Sequence, residues 1–355
     1  MLTLRDLLEE MFGLKASDLH LTVGAPPMFR VDGSLVRSQY PPLTPEDTKR
    51  LAYSMMTEKQ KQRFEENKEL DLSFGLEGKS RFRCNIFLQR GCVAAAIRQI
   101  PFEIGSFEDL GIPKQVADLA YLPHGLVLIT GPTGSGKSTT LAAILDRINR
   151  ERKLHILTVE DPIEYLHKHN NCLINQREVR ADTDSFAQAL KYALRQDPDV
   201  VMIGEMRDLE TMESALTISE TGHLAFATLH TGSAIESIKR IIDVFPKEKQ
   251  EQVRIQLSFV TQAVVSQQLI PRIGGGRVLA TEVMVCTPAV RAMIRDDKIH
   301  QIYSLIQAGQ KYGMRTMNQS LMELHLARKI SIEDALTRST NPQELKEMLV
   351  RRRAV

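Results

Sequence analysis

Gly131-Pro132-Thr133-Gly134-Ser135-Gly136-Lys137-Ser138 matches the pattern GxxxxGK[ST]. The apolar run 126–130 precedes it, and a stretch with helical spacing, 138–150, follows it. That strand–loop–helix context is the one in which the pattern works as a phosphate-binding P-loop. Glycines let the backbone wrap phosphates with its N–H groups, and the positive end of the helix dipole adds to the attraction. Lys137 is expected against the β and γ phosphates of ATP. The Ser138 hydroxyl is expected on Mg²⁺, with Thr139 closing the binding stretch.

Moving outward from the loop, the apolar runs 156–159, 200–203 and 224–228 each predict a buried strand. Helical patterns such as 185–195 lie between them. Alternation of this kind predicts an α/β fold, a parallel-rich sheet with helices on both faces. Residues 287–355 read as mostly helical, punctuated by Pro288, Gly309, Gly313 and Pro342.

Upstream, the first hundred residues predict a small α+β domain, loosely PAS-like. Residues 1–14 read as an amphipathic helix and not as a signal peptide, because Arg5, Asp6, Glu9 and Glu10 interrupt the apolar residues. Runs 28–31 and 35–36 flank the turn Asp32-Gly33, a hairpin signal. Residues 44–67 have helical spacing, with Thr44 as cap and Pro45 behind it. Runs 19–23, 71–74, 80–89 and 92–99 read as strands. Residues 101–113, with Pro101, Gly105, Gly111 and Pro113, read as a linker to an ATPase domain spanning 114–355.

Three clusters add chemistry to the loop. Run 199–204 ends in Glu205, where a carboxylate can hold Mg²⁺ through water. Glu160, Asp161 and Glu164 follow another strand, and Glu164 is the candidate for polarising the attacking water. His223 and His230 bracket the run 224–229 and are candidates for sensing the γ-phosphate.

Composition narrows the classes. Charged residues make up 25% and the formal charge is +2, so nothing drives the chain globally toward nucleic acid. No run reaches the ~18 apolar residues of a membrane span. Cys84, Cys92, Cys172 and Cys286 form no CxxC pair, which argues against zinc and fits a reduced, cytoplasmic setting.

Together these segments resemble the secretion ATPase superfamily. Val159-Glu-Asp-Pro-Ile-Glu164 looks like its Asp box and Ile203-Gly-Glu-Met-Arg-Asp208 like its Walker B. Thr221-Gly-His-Leu-Ala-Phe-Ala-Thr-Leu-His230 looks like its His box, and Ala16-Ser-Asp-Leu-His-Leu21 like its N-terminal opening. Within the superfamily the chain is most similar to the type IV pilus retraction ATPases. Ala289-Val-Arg-Ala-Met-Ile-Arg-Asp-Asp-Lys298 resembles their C-terminal motif, which is associated with retraction and not with hydrolysis itself. Met293 and Asp296-Asp297 depart from that motif's usual letters. The chain lacks the four-cysteine insertion typical of extension and type II secretion ATPases, the first alternative.

The resemblance implies a RecA-like ATPase domain in a homo-hexameric ring, with ATP between the two domains of one chain. It makes Glu164 the catalytic glutamate and Glu205 the Walker B acid, and it places His230 at a subunit boundary. It implies arginines from the N-terminal domain on the γ-phosphate. Arg81, Arg83, Arg90 and Arg98 are available there, with Arg83 and Arg98 the preferred pair. The implied partners are an inner-membrane platform protein and a paralogous retraction ATPase, with the ring peripheral to the cytoplasmic membrane. A RecA-like nucleic-acid translocase is the other alternative. It predicts a basic, aromatic-bearing groove, against which stand the absence of Trp and an aromatic content of 5%.

Overall fold

The structure is a computed structural model that describes residues 2–31, 33–76, 80–100 and 104–353. Its contacts divide the chain into two units. One holds Met1–Glu103 and Glu164–Leu166; the other holds Ile104–Ile163 and His167–Val355.

The first unit is built on strands β1 (Asp18–Leu21), β2 (Met28–Val31), β3 (Ser34–Arg37), β4 (Glu69–Leu76), β5 (Ser80–Gln89) and β6 (Cys92–Ile100). They form one antiparallel sheet in the order β3-β2-β1-β6-β5-β4. Alternation along β5 buries Phe82, Cys84 and Ile86 on one face and turns Arg81, Arg83 and Asn85 to the other. The hairpin joining β2 to β3 is present, although Asp32 of its turn lies outside the described residues. The N-terminal helix, Leu4–Gly13, starts in a capping box between Thr3 and Asp6 and buries Leu7, Leu8 and Met11. Residues 44–67 form two helices, Pro45–Tyr53 and Glu58–Asn67, not one. Thr44 caps the first as expected. Thr57 starts the second with its own capping box to Gln60, a stop-and-restart that the continuous run of charge obscured.

The second unit is a seven-stranded sheet. Its strands are β7 (Gly125–Thr130), β8 (His155–Glu160), β9 (Leu173–Glu178), β10 (Val200–Ile203), β11 (Leu224–Leu229), β12 (Thr261–Pro271) and β13 (Arg277–Val285). They run in the order β13-β12-β7-β11-β10-β8-β9, all parallel except β13. Both faces of β7 are buried: Leu126 and Leu128 join the core on one side, Val127 and Ile129 the core on the other. Full burial of each such side chain contributes roughly 1.5–3 kcal/mol, which fixes the strand that carries the P-loop. Beyond β13, residues 288–353 are mostly helical, and Met317, Leu321, Leu345 and Leu349 pack a separate small core with Ile270 and Ala280 of β12 and β13.

The segment expected as a linker is divided. Residues 101–103 lie outside the described residues. From Ile104 to Ile163 the chain groups with the second unit. Ser106 caps the short helix Phe107–Leu110, Phe107 and Ile112 are buried in that unit's core, and the Arg147 guanidinium lies 4.4 Å from the Phe107 ring. Two apolar anchors outweigh the Pro and Gly content that suggested a free segment.

Candidate active site

Residue Gly131 leaves β7 with φ +140° and donates its N–H to the Leu229 carbonyl at 3.3 Å. A Cβ there would lie 2.4 Å from the Gln267 carbonyl oxygen and 2.6 Å from Ser135 Oγ, so only glycine fits. Gly134 and Gly136 also take positive φ, and Pro132, Thr133 and Gly134 form an exposed apex. Helix Lys137–Glu151 begins at Gly136 with no side-chain cap and no acid in its first turn. No N-cap side chain thus competes for the N-terminus of this fifteen-residue helix, whose dipole favours an anion. Lys137 Nζ donates to the carbonyls of Gly131 at 2.8 Å and Pro132 at 3.1 Å, folding the ammonium over that mouth. The Ser135 hydroxyl is buried without a hydrogen-bond partner. Ser138 and Thr139 sit half-buried in the first helical turn. Uncapped donors, a cation and an orphaned hydroxyl make a cradle that fits a polyphosphate.

Strand β12, which the sequence did not reveal, supports the loop from behind. Ser266 Oγ lies 2.8 Å from Thr130 Oγ1, and Gln267 Nε2 donates to Thr140 Oγ1 at 2.8 Å. Both residues are buried on a central strand with polar side chains, so β12 shows no apolar alternation to recognise.

Glu205 follows β10 beside the tips of its neighbours. Gly204 N–H donates to the Val159 carbonyl at 2.8 Å, and Met206 N–H to the Thr228 carbonyl at 3.0 Å, which pins the residue between them. Its carboxylate meets Arg207 at 2.7 Å and His230 Nε2 at 3.1 Å. Burial works to raise the carboxyl's pKa, but the Arg207 hydrogen bond and the charges of His230 and Arg207 outweigh it and hold it below the ordinary value. Sequence reasoning missed Arg207, although it stands two residues after Glu205 in the same motif. Between the strand that carries the acid and the P-loop strand lies β11. That inserted strand brings His230, at the end of β11, against the acid.

The acids of 160–164 separate. Glu160 is buried and accepts the Thr158 hydroxyl at 2.6 Å and the Gln176 amide at 3.2 Å. Asp161 lies 3.6 Å from Arg180. Glu164 is exposed and groups with the first unit, as do Arg83 and Arg98. Those two arginines are cross-strand partners on β5 and β6 and share a sheet face. Arg98 Nε donates to Asp18 Oδ1 at 2.7 Å, while Arg83 is exposed.

The expectation for His223 is corrected. It lies just before β11, and its carbonyl accepts the Gly125 N–H at 2.9 Å, at the start of β7. The P-loop leaves the far end of β7, roughly 20 Å away across a six-residue strand. Its ring nitrogen Nδ1 contacts Thr221 Oγ1 at 3.1 Å and the Ile218 carbonyl at 3.2 Å. His223 closes the helix Leu209–Glu220 and its turn; only His230 of the pair reaches the catalytic edge.

A P-loop strand separated from its acid strand by one inserted parallel strand, all three ending at a common edge, makes this molecule a RecA-like P-loop ATPase. The chain belongs to the type II/IV secretion system protein family, whose model matches residues 2–337. It is 51% identical over 92% of its length, and 95% of the relative's, to the type IV pilus retractation ATPase PilT of Pseudomonas aeruginosa. It is 47% identical over 90% of its length, and 86% of the relative's, to a twitching motility protein of Neisseria gonorrhoeae. A crystal structure described as the pilus retraction motor PilT with bound ADP superposes with a TM-score of 0.93 at 53% identity, covering 98% of this chain and all of that one.

Proposed function

We propose that this chain is the ATP-hydrolysing motor of type IV pilus retraction. The observation that carries the reading is the open helix N-terminus at Gly136, with the Glu205–His230 pair on the same edge, in a chain so similar along its length to a retraction ATPase. ATP binds with its phosphates on the loop's N–H groups. Lys137 exchanges its contacts with the loop carbonyls for the β and γ phosphates. Ser138, and Glu205 through water, would hold Mg²⁺, which would supply charge neutralisation on the phosphates. Glu164 polarises the attacking water, and Arg83 and Arg98 stabilise charge on the γ-phosphate.

Glu164, Arg83 and Arg98 belong to the first unit and the P-loop to the second. In the proposed cycle ATP draws the arginines toward its γ-phosphate and hydrolysis releases them. Repeated around a homo-hexamer with His230 at the subunit boundary, this cycle turns an inner-membrane platform protein, with or without a paralogous retraction ATPase. The protein acts in the cytoplasm at the inner face of the membrane; among the described residues no helix is long and apolar enough to cross one. Nucleic acid plays no part.

The test is a deletion strain complemented with wild type, Lys137→Ala or Glu164→Gln. Deletion leaves surface pili in place and abolishes twitching, and only wild type restores it. The purified Lys137→Ala protein loses nucleotide binding or turnover, whereas Glu164→Gln binds ATP and hydrolyses it very slowly. Loss of pili on deletion would instead assign the chain to extension.

A further inference from the structure

The described second unit holds a buried carboxylate that the mechanism above leaves unused. Glu178 is the last residue of β9 and is 6% exposed. Its register partner on β8 is Glu160, 7% exposed, so two carboxylates lie side by side on one face of the sheet at its catalytic edge. Burying neighbouring acids costs several kcal/mol unless donors compensate. Glu160 has the Thr158 hydroxyl and the Gln176 amide. Glu178 takes a backbone donor: its Oε2 accepts the N–H of Ile163 at 3.2 Å. Ile163 is buried and immediately precedes Glu164, and the division between the two units falls between these residues.

The Glu178 backbone is itself held. Its N–H donates to Asp182 Oδ2 at 2.8 Å, the Asp182 N–H returns to the Glu178 carbonyl at 2.8 Å, and Val179 N–H donates to the Glu160 carbonyl at 2.8 Å. A short turn closed at both ends therefore presents the carboxylate. An ionised acceptor on a backbone N–H is about twice as strong as a neutral one.

We propose that Glu178 is a positioning residue for hydrolysis: by holding the Ile163 N–H it fixes where the chain leaves the second unit and so where the Glu164 carboxylate stands. This rests on Glu164 as the residue that polarises water. A displacement of ~1 Å in such a group is enough to cost about a hundredfold in rate. The effect falls on the chemical step, because Glu178 lies on β9, at the edge of the sheet away from the P-loop strand.

The experiment uses the full-length protein, with steady-state and single-turnover ATP hydrolysis and ADP affinity measured side by side. Glu178→Ala lowers kcat by roughly tenfold or more while ADP affinity stays within about twofold. Glu178→Asp, which keeps the charge and withdraws the oxygen by one methylene, shows the same split and serves if the alanine variant does not fold. Glu178→Gln, whose amide oxygen still accepts the N–H, recovers most of the rate. In a Glu164→Gln background, Glu178→Ala adds less than about twofold, because the group it positions is already gone. Four results overturn the proposal: an unchanged kcat in the alanine or aspartate variant, a loss of ADP affinity in step with kcat, a glutamine variant as slow as alanine, or a full multiplicative loss in the Glu164→Gln background. Near-normal turnover of Glu164→Gln alone removes the underlying assignment and this one with it. A slow Glu164→Gln beside normal Glu178 variants removes only this one.

Discussion

His230 Nε2 stands 3.1 Å from Glu205 Oε1, joining the ends of two neighbouring parallel strands, while Arg207 holds the carboxylate's other oxygen at 2.7 Å. The acid expected to organise Mg²⁺ and water is thus oriented by a guanidinium and an imidazole before nucleotide arrives. His230 is exposed, so its contribution is geometric: it fixes a rotamer more than it adds Coulomb energy. His230→Ala is expected to lower kcat by roughly tenfold or more and to change ADP affinity by no more than about threefold. Isothermal titration with ADP beside a steady-state ATPase assay makes the comparison. Weakened ADP binding with kcat preserved would show that the histidine serves the nucleotide and not Glu205.

Gly131 is the tightest point of the loop. Its φ is +140°, and the Gln267 carbonyl oxygen lies 2.4 Å from where a Cβ would stand, which leaves no room for a side chain. The obstacle is backbone of a central strand that cannot retreat. Gly131→Ala is expected to abolish nucleotide binding while the sheet stays folded. Gly134→Ala, at the open apex with no atom within 4 Å of its Cβ, carries only the strain of its positive φ and retains measurable affinity. Titrating both variants with a fluorescent ADP analogue separates them, and equal affinities would contradict the steric account.

Legibility followed periodicity and motif. The strand at 200–203 was readable to the residue, and the strand before the P-loop to within one, because apolar runs between turn signals have few other solutions. Thr44 was readable as a cap from Thr-Pro alone. Strands β9, β12 and β13 were not, because Glu178, Ser266, Gln267, Thr281 and Glu282 stand on buried strand positions and need tertiary partners, as Ser266 and Gln267 find in Thr130 and Thr140. The misplacement of His223 has a simple cause. Two histidines bracketing one strand look equivalent in sequence, yet a parallel strand has one catalytic end, and His223 is at the other.

The C-terminal motif divides into two kinds of arginine. The Arg291 guanidinium donates to the carbonyls of Ser258 at 2.6 Å and Phe259 at 2.5 Å, and to Gln262 Oε1 at 3.0 Å. It thereby closes the C-terminus of the helix Lys247–Val260, whose last carbonyls have no intrahelical partner. Arg295 is exposed and touches only its neighbour, Asp296, at 3.1 Å among the described contacts. Arg291→Ala is expected to cost about 2 kcal/mol, the order of a charge-assisted bond lost with its acceptors half-buried. Arg295→Ala changes stability by less than about 0.5 kcal/mol. Retraction in cells should fail in both, the first through the fold and the second with melting temperature and ATPase rate intact. Equal melting curves for the two variants would sink the division.

His167 makes the second unit acid-sensitive below its ordinary imidazole range. Its Nδ1 is buried without a hydrogen-bond partner. Burial drives its pKa down from 6.5 to about 4 against the opposing pull of the Asp146 charge. The folded state thus refuses a proton that the unfolded chain accepts near pH 6.5. Stability from the neutral ring is complete above that value, falls as the pH drops below it, and falls no further once the folded-state pKa is passed. Acidification from about pH 6.5 to about pH 5 therefore costs roughly 1–2 kcal/mol through His167, opposed by the buried Glu282 carboxyl, whose pKa burial raises. In His167→Gln, which carries no titrating ring, melting temperature should fall much less over that interval, the remaining slope being that of His20, whose pKa burial lowers, against Glu282 and Glu10, whose pKa values burial raises. Thermal unfolding of wild type and variant at half-unit pH steps decides it: parallel curves mean that His167 takes up its proton without resisting the fold.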